Sequence, residues 1–183
     1  LSFSKETYFF SVGQDINRDF QTLIDAKINF PIHIHTELNL KSRNNLINNV
    51  KITKGSFYKE DLDDMGLRQL YQNAIAIIVP LKDVFQPSGY SVTLQAMSCA
   101  KPVVLSKTKG LWAPDLLIDN YNCLLVRPGD KKQLTEAMEK LKNNPNLRKK
   151  IGLQARLTVK KYFNLKVAGN SLKNIIKKIE SKN

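Results

Sequence analysis

The sequence predicts an α/β protein with a Rossmann-like, three-layer arrangement, in which helices cover both faces of a parallel sheet. Short apolar runs alternate along the chain with stretches whose apolar residues repeat every 3.6 positions, which is typical of alternating strands and helices. The apolar runs are nearly continuous, as expected for strands that are covered on both faces. Glycine-containing turns follow two of these runs, at the strand ends where such sheets bind ligands.

Six apolar runs bounded by turn residues are predicted strands: residues 8–12, 31–36, 50–53, 75–79, 103–105 and 122–126. Helical spacing between them predicts five helices: residues 17–29, 61–73, 91–100, 111–118 and 130–142. In the first helix Phe20, Leu23 and Ile24 share one face, and Asp130 is a suitable N-cap for the last. Residues 38–49 are polar and rich in asparagine, which predicts a loop or a short helix.

The chain after residue 143 is predicted to be helical and strongly basic, with helices over residues 144–162 and 166–181. Residues 131–183 hold 15 of the 29 Lys and Arg residues and only three acidic ones. We therefore divide the chain into a Rossmann-like lobe, residues 1–143, and a pair of C-terminal basic helices, residues 144–183. The apolar stripe of these helices suits packing on the lobe or on a missing lobe, and their charge equally suits an anionic membrane surface.

Composition excludes several classes of protein. The 183 residues are 42% hydrophobic and 25% charged, as in soluble globular domains, and no apolar run approaches the ~20 residues of a membrane span. Apart from Tyr162 and Phe163, the basic helices lack interleaved aromatic residues, so nucleic acid is not an expected partner. Because Leu1 opens the chain and a predicted strand follows almost at once, we expect a piece of a longer protein.

Neither the cysteines nor the histidines predict a metal or redox site. Cys99 and Cys123 show neither disulfide nor zinc spacing and lie in apolar surroundings, which indicates buried thiols in a reducing cytoplasm. His33 and His35 share one face of a predicted strand, but no third metal ligand stands nearby. The sequence also contains neither a GxGxxG nor a P-loop motif.

The most informative segment is QPSGYSVTLQAMSCAKP, residues 86–102. It places a small-residue turn between a predicted strand and the N-terminus of a predicted helix, where free backbone N–H groups and the helix dipole favour a phosphate. An ordinary strand-to-helix turn explains the same pattern. A second turn, at Gly13, is followed by Arg18, which either reaches a phosphate or is exposed and paired with Asp15 or Asp19.

Four ordered segments resemble one family: FSVGQDINRDFQTLIDA, LRQLYQNAIAIIVPL, SGYSVTLQAMSCAKPVVLS and DNYNCLLVRPGD. Together they are similar to the C-terminal, donor-binding lobe of group 1 retaining glycosyltransferases of the GT-B fold. The resemblance implies a nucleotide-diphosphate sugar as donor, retention of anomeric configuration and no metal cofactor. It also implies an acceptor-binding N-terminal lobe that this chain lacks, so we expect the chain alone to be inactive.

The resemblance assigns candidate donor-binding residues one by one: Gly13, Arg18, Ser88, Gly89, Tyr90, Ser91 and Gln95. The family arginine that follows the first glycine is replaced here by Gln14. The resemblance places Gln95 where the family glutamate holds the ribose hydroxyls. It places a base-reading loop near residues 55–58.

Both acidic residues of the family's signature are glutamines in this chain. The nearest match to the glutamate beside the donor sugar is Gln86, nine residues before Gln95 instead of eight. A glutamine can still accept a hydroxyl bond, but it loses the charge-assisted part, which contributes roughly 1–2 kcal/mol per bond. We therefore hold two expectations, a polysaccharide-synthesising hexosyltransferase and a non-catalytic nucleotide-sugar-binding lobe. In both cases we expect a cytoplasmic protein, bound at most to the periphery of the membrane.

Overall fold

A computed structural model describes residues 7–26, 28–40, 49–55 and 62–180 of the chain. Its centre is a six-stranded sheet in which every strand pair is parallel, in the order β3-β2-β1-β4-β5-β6. The strands are β1 Tyr8–Val12, β2 Ile32–His35, β3 Val50–Thr53, β4 Ala74–Val79, β5 Val103–Ser106 and β6 Leu124–Val126. The predicted α/β, Rossmann-like fold class is therefore confirmed.

Six helices accompany the sheet within these residues: α1 Phe20–Asp25, α2 Asp64–Asn73, α3 Tyr90–Ser98, α4 Lys131–Asn143, α5 Pro145–Tyr162 and α6 Leu165–Glu180. Asp130 caps α4, as predicted, because its carboxylate accepts a hydrogen bond from Gln133 N at 2.9 Å. The first helix is shorter than predicted because Asp19 acts as its N-cap and Arg18 forms a backbone bridge with Leu81.

The prediction of a helix over residues 111–118 is wrong, because the structure has turns there. The side chain of Asn122 holds this segment, since its Nδ2 donates to Leu116 O at 2.7 Å and its Oδ1 accepts from Ile118 N at 2.8 Å. Pro114 also cannot donate the backbone hydrogen bond that a helix interior requires.

Two apolar layers cover the faces of the sheet. One face packs against α1 and α4, with Phe20, Leu23 and Met138 among its buried side chains. The other packs against α2, α3 and α5, with Tyr71 and Met97 among its buried side chains. Burial on both faces explains why the strands read as nearly continuous apolar runs.

The two C-terminal helices differ in how they pack. In α5, Ile151 and Ala155 are fully buried, and Arg156 Nη1 donates to Ser98 O of α3 at 3.2 Å. In α6 none of the residues is buried, and its large apolar side chains are exposed: Leu165, Leu172, Ile175, Ile176 and Ile179. Within the described residues no helix has both the length and the hydropathy to cross a membrane.

Candidate functional site

Two loops meet at the carboxyl end of the sheet, where β1 and β4 lie side by side. The chain leaves β1 towards β2 on one side of the pair and leaves β4 towards β5 on the other. This point is the topological switch of the sheet, and parallel sheets of this kind bind their ligands in the crevice there. Both turns that the sequence singled out, at Gly13 and at Ser88–Gly89, follow these two strands.

Backbone hydrogen bonds fix the position of Gly13, and a side chain at this position would displace the guanidinium of Arg18. Its N–H donates to His35 O at 3.2 Å, and its carbonyl accepts from Thr36 Oγ1 at 2.6 Å. Its φ of +155° is one that side-chain-bearing residues rarely adopt, and a Cβ placed there would overlap Nε of Arg18. The absent side chain therefore leaves the space that the guanidinium of Arg18 occupies.

Arg18 is a buried cation between the two glycine turns. Its exposed fraction is only 6%, and a Cβ on Gly89 would lie 3.4 Å from its Nη1. Nε and Nη1 are buried and have no hydrogen-bond partner in the described part of the chain. Burial lowers the pKa of Arg18 to about 10, and the nearby Asp15 opposes that shift. The side chain is therefore still charged at neutral pH, and two of its donor nitrogens have no hydrogen-bond partner among the described residues.

The exposed, ion-paired alternative for Arg18 is wrong. Asp19 accepts from Thr22 N and Thr22 Oγ1, at 3.1 and 2.6 Å, as the cap of α1. Asp15 accepts instead from Asn17 N at 2.8 Å and from Ser88 Oγ at 2.6 Å. Among the described residues no ion pair joins Arg18 to either acid.

Sequence reasoning missed the roles of Asp15 and Asn17, which join the two loops. Asn17 Nδ2 donates to Gln86 Oε1 at 3.3 Å and, more weakly, to Ser88 Oγ at 3.4 Å. Gln86 thus belongs to the cluster, although its own side chain is exposed. The signal in the sequence was an Asp-x-Asn pair directly after a strand and a glycine, since such side chains readily bond to nearby backbone in turns.

The start of α3 lies beside Arg18. Gly89 precedes the helix with φ of +74°, and no side chain caps the first turn. A Cβ at Gly89 would lie 2.7 Å from Cγ1 of Val79, so the turn packs against the end of β4 only because it is glycine. Tyr90 and Ser91 open the helix with exposed side chains. The uncapped N–H groups and the helix dipole favour an anion at this position.

Gln95 lies further along α3, in different surroundings. Its Oε1 accepts a hydrogen bond from Tyr71 Oη at 2.9 Å. It lines a groove of about 540 Å³ between α2, α3 and α5, together with Arg68 and Arg156. Among the described residues its hydrogen bonds do not reach the Arg18 cluster. The structure therefore brings together Gly13, Arg18, Gln86, Ser88 and Gly89, with Tyr90 and Ser91 adjacent. The hydrogen bond of Gln95 is to Tyr71, outside this group.

Both histidines contact the same hydroxyl group. His33 Nε2 lies 2.8 Å and His35 Nδ1 2.9 Å from Thr53 Oγ1, so they face the same side of β2, as their alternation predicted. Burial, aided by the charges of Lys51 and His35, lowers the pKa of His33 to about 4. Within the described residues no three His, Cys, Asp or Glu side chains are grouped as metal ligands. Of the predicted base-reading loop, only Gly55 lies within the described residues.

Comparison with solved structures identifies the fold of the chain. Sucrose-phosphate synthase from Thermosynechococcus elongatus superposes with a TM-score of 0.78 at 21% identity, over 97% of this chain and 46% of that one. The Anabaena protein HepE, crystallised with UDP-glucose, gives 0.75 at 18% identity, over 94% and 49%. A C-terminal domain of a group 1 glycosyl transferase from Francisella tularensis gives 0.69 at 17% identity, over 88% of both chains.

Sequence comparison identifies the family. A glycosyltransferase of Methanocaldococcus jannaschii is 34% identical over 115 residues, which are 60% of this chain and 29% of that protein. A second from the same organism is 27% identical over 150 residues, 81% of this chain and 38% of that protein. The chain thus spans about a third of the curated relatives it matches. The profile described as Glycosyl transferases group 1 matches residues 32–158, and the chain belongs to this family.

Proposed function

We propose that this chain is the donor-binding half of a retaining glycosyltransferase of the hexosyltransferase type, which transfers a sugar from a nucleotide-diphosphate sugar to a glycan or lipid-linked acceptor. The observation that carries the proposal is the buried guanidinium of Arg18, with two unpartnered N–H groups between two glycine turns at the switch point of the sheet. An isolated buried charge is costly, so a ligand of opposite charge is the partner that this geometry favours.

The proposed role of these groups follows from where charge develops during transfer. When the bond between sugar and diphosphate breaks, negative charge accumulates on the leaving diphosphate. Arg18 and the N–H groups at the start of α3 are donors that are already in place, and such donors stabilise developing charge without reorganising. HepE was crystallised with UDP, with UDP and glucose, and with UDP-glucose, which supports a nucleoside diphosphate as the ligand class. The scheme requires no metal ion.

Calorimetric titration of the chain with UDP, GDP and ADP tests the proposal. We expect at least one of the three to bind, and the corresponding nucleoside without phosphates to bind far more weakly, because Arg18 would meet the phosphates. Absence of binding by all three diphosphates at millimolar concentration would contradict a donor site.

A second candidate function is a nucleotide-sugar-binding lobe without catalysis, and the glutamines at positions 86 and 95 favour it. At position 95 the negative charge of the family glutamate can be restored with little change in packing, because a glutamate there can still accept the hydrogen bond from the Tyr71 hydroxyl. We expect Gln86→Glu and Gln95→Glu in the full-length protein to reduce sugar transfer if glutamine is the working residue. A large gain in transfer would instead support the non-catalytic candidate.

The exposed apolar stripe of α6 supports a further part of the proposal, namely that the acceptor-binding N-terminal lobe covers it. Leu172, Ile176 and Ile179 on this helix are between 47% and 59% exposed, and the relatives extend well beyond this chain. The neighbouring lysines support a competing proposal, in which α6 makes a peripheral contact with an anionic membrane. Salt-sensitive sedimentation of the full-length protein with anionic vesicles, and not with neutral ones, would favour the membrane.

A further inference from the structure

A short side-chain hydrogen bond at the switch point joins the two loops directly. Ser88 Oγ, on the loop after β4, donates to Asp15 Oδ2, on the loop after β1, at 2.6 Å. The other carboxylate oxygen accepts from Asn17 N at 2.8 Å, which fixes the conformation of the first loop. Asp15 therefore connects segments that lie 73 residues apart in the sequence.

The carboxylate of Asp15 is ionised, and each of its two oxygens accepts one of these hydrogen bonds. Partial burial acts to raise its pKa, but the hydrogen bonds from Ser88 and Asn17, with the charges of Arg18 and Lys82, leave the pKa below its ordinary value. An ionised acceptor forms shorter and stronger hydrogen bonds than a neutral one. Among the described residues Asp15 forms no ion pair with Arg18, and Nε and Nη1 of Arg18 have no hydrogen-bond partner.

This arrangement changes the role of Ser88. The resemblance placed Ser88 among the residues that bind the donor, but its hydroxyl proton is donated to Asp15 and its side chain is 5% exposed. The hydroxyl is therefore not a free donor for a phosphate. What the bond fixes is the position of Ser88, and with it Gly89 and the start of α3.

We propose that Asp15 is a positioning residue for the diphosphate site. By holding Ser88, it sets the distance between the N-terminus of α3 and the guanidinium of Arg18, the two groups that would grip one diphosphate. This inference rests on the proposed function, because it assigns Asp15 a role in binding that same ligand. The charge of Asp15 itself opposes an anion, so the hydrogen bond and the charge have opposite effects on binding.

The two effects can be separated by a matched pair of variants. Asp15→Asn removes the charge but keeps a group that can bond to the Ser88 hydroxyl, whereas Asp15→Ala removes both. We expect Asp15→Asn to bind UDP as tightly as the wild type or tighter, and Asp15→Ala to bind it about tenfold more weakly than Asp15→Asn. Substitution of the exposed Asp115 by Asn and by Ala serves as control, and both should bind like the wild type.

Ser88→Ala removes the same bond from the other side, so it also keeps the test informative if Asp15→Ala fails to fold. We expect it to weaken UDP binding by a factor similar to that between Asp15→Ala and Asp15→Asn. The double variant Asp15→Ala, Ser88→Ala should bind no more weakly than Asp15→Ala alone, because one bond can be lost only once. Thermal unfolding without UDP measures any purely structural effect of a variant. If Asp15 positions the site, UDP must also raise the melting temperature of the variant less than it raises that of the wild type.

Equal binding by Asp15→Asn and Asp15→Ala, or fully additive losses in the double variant, would overturn the inference. If no nucleoside diphosphate binds to the wild type, the proposed function fails. If UDP binds to the wild type and is lost in Arg18→Met, while Asp15→Ala behaves like Asp15→Asn, the proposed function stands and only the role of Asp15 is rejected.

Discussion

Replacement of Arg18 by methionine is expected to weaken the binding of UDP by about a hundredfold or more. Two charged N–H groups would be lost, and hydrogen bonds to charged groups contribute roughly 1.5–3 kcal/mol each. Methionine fills much of the same volume without a charge. Because the guanidinium is 6% exposed and two of its nitrogens are unpartnered, we expect the free energy of unfolding without ligand to stay unchanged or to rise.

The combination of lost binding and retained stability is what distinguishes a ligand-binding arginine from a structural one. Calorimetry with UDP and urea unfolding of the same sample measure both. Arg127→Met is the matched control, since the exposed side chain of Arg127 pairs at the surface with Asp130 at 2.9 Å. A folded Arg18→Met protein that binds UDP as the wild type does would rule out Arg18 as the anion contact.

Replacement of Gly152 by alanine is expected to lower the free energy of unfolding by about 2–3 kcal/mol. A Cβ at this position of α5 would overlap the carbonyl oxygen of Ala100, where the chain turns from α3 into β5. The obstacle is backbone, and Ala100 already has φ of +56°, so this turn has little freedom to yield. The helix itself would have to move off α3.

Gly169→Ala provides the control for Gly152, because a Cβ there meets nothing within 4 Å. We expect this change in α6 to stabilise the helix by about 0.5–1 kcal/mol, as alanine is the better helix former. Urea unfolding can be followed through Trp112, whose ring packs edge-on against Phe163 at the end of α5. Similar changes in stability for both variants would show that α5 does not pack closely on this turn.

The sheet was largely predictable from sequence because its strands are local patterns. The runs at 8–12 and 50–53 coincide with β1 and β3, and the other four overlap their strands. Strands buried on both faces give continuous apolar runs whose ends are marked by glycine, proline or aspartate, so little tertiary information is needed. The N-cap at Asp130 was predictable for the same reason.

The misassigned elements depend on side chains that act at a distance. The segment at 111–118 has helical apolar spacing, but Asn122 competes for its backbone groups through bonds that periodicity does not encode. The start of α1 was placed too early because Arg18 belongs to a backbone bridge with Leu81, 63 residues away.

The site itself was predictable only in part. Gly13, Arg18 and Gly89 were predicted from turn chemistry and from resemblance, and the structure brings them together, but the burial of Arg18 depends on two glycines that are distant in sequence. Asp15 was considered only as a partner for Arg18, because its bond to Ser88 crosses between loops. The bond between Gln95 and Tyr71 is likewise a contact between two helices.

The proposed donor site holds one diphosphate between Arg18 and the start of α3. A crystal structure of the chain with UDP tests it most directly. We expect diphosphate oxygens within hydrogen-bond distance of Nε and Nη1 of Arg18 and of backbone N–H groups at the start of α3. A diphosphate bound elsewhere, such as in the groove between α2, α3 and α5, with both of these Arg18 nitrogens still unpartnered, would contradict it.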